Sequence, residues 1–143
     1  MKILVDTSVL VAAFVDAHPA HDRARTCIKQ GLAGKVQLRL ATHTLAELYA
    51  VLTTMPVSPR ISPASAWRLI QSNTASMKFV ALDEEDYRET LRGLGELELS
   101  GGVVYDGLIA RAAQKAKADR LVTLNRKHFE RVRPLGVEKI ESP

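Results

Sequence analysis

Apolar residues follow two alternating rhythms along this chain. Short runs rich in Val, Ile and Leu are separated by longer stretches in which apolar positions recur every third or fourth residue. The first rhythm predicts strands at Ile3–Val5, Val36–Leu40, Phe79–Leu82, Arg120–Thr123 and Val137–Ile140. The second predicts helices at Ser8–Val15, His18–Gln30, Thr44–Met55, Pro63–Ser76, Glu84–Glu98 and Val104–Lys117, with a short one after Asn125. Strands alternating with helices specify an α/β fold: a central, mainly parallel sheet of about five strands with helices on both faces, an α/β/α sandwich.

Breaks between elements have local causes. Gly31 and Gly34 close the second helix, and the segment PVSPRISP carries prolines that a helix interior excludes. Ser62 followed by Pro63 reads as an N-cap and a proline at the first helical position, where its missing amide is harmless. Ser100–Gly102 marks another break. The sequence has no internal repeat, low-complexity tract or dividing linker, so residues 1–143 are expected to form one domain.

The polar pattern is more informative at three points. Asp6 is the only formally charged residue between Lys2 and Asp16, Glu47 the only one between Arg39 and Arg60, and Asp106 the only one between Glu98 and Arg111. A segment with a single charge is largely enclosed, and an enclosed carboxylate needs pairing, hydrogen bonds or a metal. Asp6 is expected at the carboxyl end of the first strand, Glu47 in the helix after the second and Asp106 early in the helix before the fourth. All three can reach the sheet edge where α/β sites form. Two carboxylates about 4 Å apart repel by roughly 4 kcal/mol at an effective dielectric near 20. Three together call for a cation or a shared proton, and oxygen-only ligands suit Mg²⁺ or Mn²⁺.

Each acid also has a simpler reading. Asp6 fits an N-cap, Glu47 a salt bridge to a distant Arg or Lys, and Asp106 a first-turn acid complementing the helix dipole. Asn125 falls on the same sheet edge and equally suits the cap of the short helix after it; Asp119 belongs to a turn at the opposite end. His43 lies one turn before Glu47, a spacing that permits a shared metal or a plain polar role near the helix start.

Composition narrows the class. Twenty Lys and Arg against sixteen Asp and Glu give a formal charge of +4, which favours an acidic partner such as nucleic acid, although no basic arm is present. A single cysteine, Cys27, excludes an internal disulfide and a Cys-rich zinc site. With neither a signal-peptide pattern nor a membrane-length apolar segment, the expected location is cytoplasmic.

ILVDTSVLVA at the N terminus, Glu47 in HTLAELYAVL, Asp106 in VVYDGLIARAAQKAKADRLVT, and TLNRKHF together resemble the PIN-domain ribonucleases, in particular VapC-like toxins of prokaryotic toxin–antitoxin systems. The resemblance covers almost the whole chain in matching order. It implies a PIN-like fold and a Mg²⁺- or Mn²⁺-dependent endoribonuclease leaving 5′-phosphate and 3′-hydroxyl ends. By the same resemblance Asp6, Glu47 and Asp106 form the metal-binding acidic cluster, and Thr7 or Ser8 support it. The family often has a further acid where this chain has Asn125, a departure that weakens a second metal ion. A VapB-like antitoxin and a homodimer are implied as partners, beside the RNA substrate, with Leu45–Met55 and Trp67–Ile70 offering apolar contact surface. Arg126 and Lys127 are available for RNA phosphate or are solvated charges, and His128 reads as structural or surface.

Two other functions compete. A haloacid-dehalogenase-like phosphatase needs a second Asp two residues after the first, where this chain has Ser8. A noncatalytic PIN-like module binding RNA or protein would be marked by Arg or Lys bridging the three carboxylates.

Overall fold

The computed structural model describes residues 1–143, the side chain of Pro134 excepted. Its strands are β1 (Lys2–Val5), β2 (Gln37–Ala41), β3 (Lys78–Val80), β4 (Arg120–Val122) and β5 (Ile140–Glu141). They form one sheet in the order β3-β2-β1-β4-β5, with every adjacent pair parallel. Its helices are α1 (Thr7–Phe14), α2 (His21–Leu32), α3 (Thr42–Thr54), α4 (Pro63–Thr74), α5 (Glu84–Glu96), α6 (Val103–Ala116) and α7 (Arg126–Glu130).

Alternation along the strands divides the core in two. Ile3 and Val5 face a cluster with Val9, Leu10, Ile28, Leu48, Leu52 and Ile70, so α1 to α4 cover one side. Leu4 points the other way, into a cluster with Leu94, Ile109, Ala113, Leu121 and Phe129 from the α5 to α7 side. This is the expected α/β/α sandwich, and strands buried on both faces explain the unbroken apolar run of β1.

Several boundaries differ from the sequence reading. Helix α2 begins at His21 rather than His18 and runs through Gly31; the left-handed Gly34 lies beyond its end. A Cβ at position 31 would sit 2.1 Å from Leu38, so this glycine permits close approach of α2 to β2 rather than ending the helix. Strand β3 stops at Val80, and β5 begins only at Ile140. Val137 is buried, but it follows a 3₁₀ turn at Arg133–Leu135 and the left-handed Gly136, while pairing with β4 runs only through Ile140 and Glu141. Ser62 does cap α4, its side chain accepting the Ser65 amide, with Pro63 at the first helical position.

The apolar stripes of α3 and α4 serve two purposes. Leu48, Leu52, Ala66 and Ile70 are core, whereas Leu45, Tyr49 and Trp67 are exposed. Among the described residues, no helix is long and apolar enough to cross a membrane.

Helices α5 and α6 are locked together beneath the sheet. A Cβ at Gly107 would come within 2.9 Å of Thr90 Cγ2, so this position needs glycine for the two helices to meet. Asp86, 3% exposed, accepts hydrogen bonds from Arg111 Nε (2.9 Å) and Lys115 Nζ (2.6 Å) and forms a reciprocal capping box with Asp83. Burial alone would raise its pKa; the bonds from Lys115, the Asp83 amide and Arg111 outweigh burial and hold it well below the usual carboxylate range.

Asp86→Asn is therefore expected to destabilise the fold at pH 7 by about 2 kcal/mol, the loss being limited because Arg111 and Lys115 stay accessible to water. Because the native pKa is depressed, this stabilisation is fully present above the ordinary Asp value near 4 and is lost as pH falls towards the native one. Urea unfolding of parent and variant at pH 7 and pH 3 checks this; the gap should narrow at the lower pH.

Candidate active site

The strand order reverses between β1 and β4, and the crevice beyond the carboxyl ends of those strands is where a site is expected. Val5 pairs with Val122, and the Asp6 amide donates to the Val122 carbonyl (2.9 Å), which sets Asp6 beside Thr123. Asp6 occupies the N-cap position of α1 without a side-chain cap bond. Its Oδ2 instead accepts from Ser8 Oγ (2.6 Å) and Thr123 Oγ1 (2.8 Å). Each hydroxyl in turn accepts a backbone amide, Ser8 from Leu124 (3.1 Å) and Thr123 from Asn125 (2.9 Å). Each amide takes one lone pair of its hydroxyl and leaves the proton free to donate to the acceptor-only carboxylate. Asp6 Oδ1 has no side-chain partner among the described residues. Burial, only partly offset by these bonds, raises the Asp6 pKa.

Glu47 projects from α3, and its Oε1 is buried without a hydrogen-bond partner. His43 Nε2 stands 3.8 Å from that oxygen, beyond hydrogen-bond range. The His43 ring stacks on Tyr105 (5.1 Å between centroids, 7° between planes), and burial lowers its pKa, so it carries no compensating charge at neutral pH. Thr7 Oγ1 donates to Thr44 Oγ1 (3.2 Å) and gives Glu47 a small offset. Burial first, then the charges of Asp6 and Asp106, push the Glu47 pKa up to about 7.

Asp106 lies in the first turn of α6. Burial and Asp6 raise its pKa against the opposing pull of His128 and Arg131 on the surface near α7. Among the described residues no Arg or Lys forms an ion pair with Asp6, Glu47 or Asp106.

These acids share a cleft of about 500 Å³ with Asn125 and His18. Asn125 is exposed and occupies the N-cap position of α7 without making a side-chain cap bond. Arg126 and Lys127 are exposed but do not line the cleft; Arg126 borders a separate hollow beside β5. Three participants were not singled out from sequence: Thr123, Arg131 and His18. A hydroxyl at the end of a strand paired with β1 was the available signal for Thr123; the other two depend on folding of distant segments.

Among the described residues, no three His, Cys, Asp or Glu side chains converge closely enough to hold an ion. The three acids influence one another without meeting, as expected of uncompensated carboxylates. The donor set nevertheless fits a hard divalent cation: all its donors are oxygen, one buried oxygen lacks a partner, and all three pKa values are displaced towards the protonated form.

A raised native pKa means that the folded chain holds a Glu47 proton that the unfolded chain has released, so stability falls as pH rises from about 4.5 to about 7. Glu47→Gln should reduce that slope in metal-free protein, the remainder belonging to Asp6 and Asp106, and stabilise it at pH 8 by about 1–2 kcal/mol, after allowance for solvent screening. Chemical denaturation in EDTA at pH 5 and pH 8 is the check.

Comparison with known proteins identifies the family. The PIN domain family model matches residues 3–134. Ribonuclease VapC40 of Mycobacterium tuberculosis is 35% identical over 136 residues, covering 95% of this chain and 96% of that protein. Ribonuclease VapC27 of the same species is 32% identical over 138 residues, covering 96% and 95%. The fold superposes on VapBC2 from Rickettsia felis, solved bound to a DNA fragment from its promoter, with TM-score 0.73 and 23% identity across 100% of this chain and 99% of that one. With the sheet order, the cleft at its switch point and the match along nearly its full length, the chain belongs to the PIN-domain family, among the VapC ribonucleases.

Proposed function

We propose that this protein is a divalent-metal-dependent endoribonuclease, the toxin of a VapBC-type pair, with Asp6, Glu47 and Asp106 as its metal-binding carboxylates. The observation that carries the reading is the unpartnered Glu47 Oε1, buried in a cleft with two more carboxylates that no Arg or Lys neutralises among the described residues. Such a group is costly to maintain unless a cation completes it.

When bound, Mg²⁺ or Mn²⁺ supplies Lewis acidity, acidifying water and offsetting charge on a phosphodiester. The protein's own contribution is orientation. Ser8 and Thr123 hold Asp6 Oδ2 and leave Oδ1 available, while α3 and α6 bring Glu47 and Asp106 to the same cleft. Thr7 anchors the start of α1 to α3 through Thr44. Asn125 offers an amide oxygen without charge and so supports a first ion more than a second. Arg131, whose charge reaches Asp106, is placed to attract phosphate, and Arg126 and Lys127 are exposed on the neighbouring α7.

The homology to VapC ribonucleases and the VapBC2 fold match support a VapB-like antitoxin as partner. Leu45, Tyr49 and Trp67 give that partner, or a second copy in a homodimer, exposed apolar anchors on α3 and α4. Asn125 at the position of a further acid favours the rival reading of a noncatalytic binding module. The Arg or Lys bridges that would mark such a module are missing among the described residues.

Incubation of antitoxin-free protein with structured cellular RNA should give discrete cuts in Mn²⁺ or Mg²⁺ and none in EDTA. Asp6→Asn or Asp106→Asn should slow cutting by about 10²-fold or more, equivalent to about 2.7 kcal/mol of barrier. Mn²⁺ should also raise the Tm of the parent but not of the Asp6→Asn, Asp106→Asn double variant. Full cleavage by the double variant overturns the proposal, and a parent that neither cuts RNA nor binds Mn²⁺ is the binding module.

A further inference from the structure

The acids of the cleft account for a phosphate and an ion, but the rest of its lining has no part in that chemistry. It includes Val11, Val51, Met55 and the half-buried ring of His18. Val51 remains 38% exposed on a helix whose Leu48 and Leu52 are fully buried.

His18 is held firmly for a loop residue. Its amide donates to the Val15 carbonyl (3.0 Å), its carbonyl accepts from the His21 amide (2.9 Å), and its Nδ1 accepts from the Ala20 amide (3.0 Å). A ring that accepts at Nδ1 carries its proton on Nε2. That Nε2–H has no hydrogen-bond partner within the protein among the described residues. His21 is committed to the Ala12 carbonyl and Asp16, and His43 is stacked on Tyr105.

No Lys or Arg lines this cleft, so this part of the lining is not a second phosphate site. An apolar surface beside one fixed in-plane donor suits a flat, partly apolar ligand with an acceptor on its edge. In a strand lying across the acidic cluster, that ligand is an unpaired base. Resting on the ribonuclease reading above, we infer that His18, with Val51 and Met55, forms the subsite for the nucleobase next to the scissile phosphate. Val51 and Met55 pack against the base, and His18 Nε2 donates to an acceptor on its edge. His18 is thus a specificity-determining residue, and the site selects single-stranded RNA at that position.

The test uses single-stranded RNA oligonucleotides randomised over a short window, cut in Mn²⁺, with the new ends sequenced. The parent should show a base preference of about tenfold at one position flanking the cut, the scale of one hydrogen bond to a base edge. His18→Asn keeps an acceptor for the Ala20 amide and removes the Nε2 donor, so the preference should flatten at that position alone, whatever the overall rate. His18→Gln, which keeps a donor at similar reach, should restore it.

An unchanged profile in His18→Asn, or equal loss at every position, overturns the subsite and leaves the nuclease standing. Failure of the parent to give metal-dependent cuts that Asp106→Asn abolishes overturns both.

Discussion

Everything at the site depends on the parallel pairing of β1 with β4. That ladder sets Asp6 against Thr123, and the Ser8 and Thr123 hydroxyls converge on one oxygen of the carboxylate. The same hydroxyls receive the amides of Leu124 and Asn125, so the loop leaving β4 and the first turn of α1 are held through a single buried charge. A buried carboxylate with neutral hydroxyl and amide partners and no cation is poorly compensated, and its pKa stays raised. Its geometry is fixed while its charge remains available to a ligand.

The fold treats its other buried carboxylate in the opposite way. Asp86 is as enclosed as Asp6, yet Lys115, Arg111 and the Asp83 amide hold its pKa down. Asp86 is a joint between α5 and α6; Asp6, Glu47 and Asp106 are an unpaid electrostatic debt at the sheet switch point. Burial is common to both sets, and the presence or absence of Arg and Lys separates structural from functional acids.

Helix α3 links the site to the surface. One side inserts Leu48 and Leu52 into the core, Glu47 and Val51 line the cleft, and Leu45 and Tyr49 remain exposed. A protein seated on those exposed residues would therefore contact the same rigid helix that carries a candidate ligand. Blocking the site requires no long-range conformational relay in such an arrangement.

Much of this was legible in the chain. Short apolar runs and period-3.6 patterns gave the α/β order, because strands buried on both faces read as unbroken apolar runs while a helix buried on one face repeats every third or fourth residue. The isolated acids were legible because an enclosed segment tolerates few charges, and the resemblance of four motifs named the family. The Ser62–Pro63 helix start could be read because capping is local. By contrast, Gly31 looked like a helix stop and proved to be a packing contact with Leu38, and Val137 looked like strand but only packs beside one. Thr123 as a partner of Asp6, the pull of Arg131 on Asp106 and the place of His18 in the cleft were decided by tertiary structure alone. Each joins residues far apart in the chain, and no local pattern records which strand will lie beside which. The sequence by itself determined which residues must be buried and which charges stand alone; only the folded sheet decided which of them share a site, because strand order sets the neighbours.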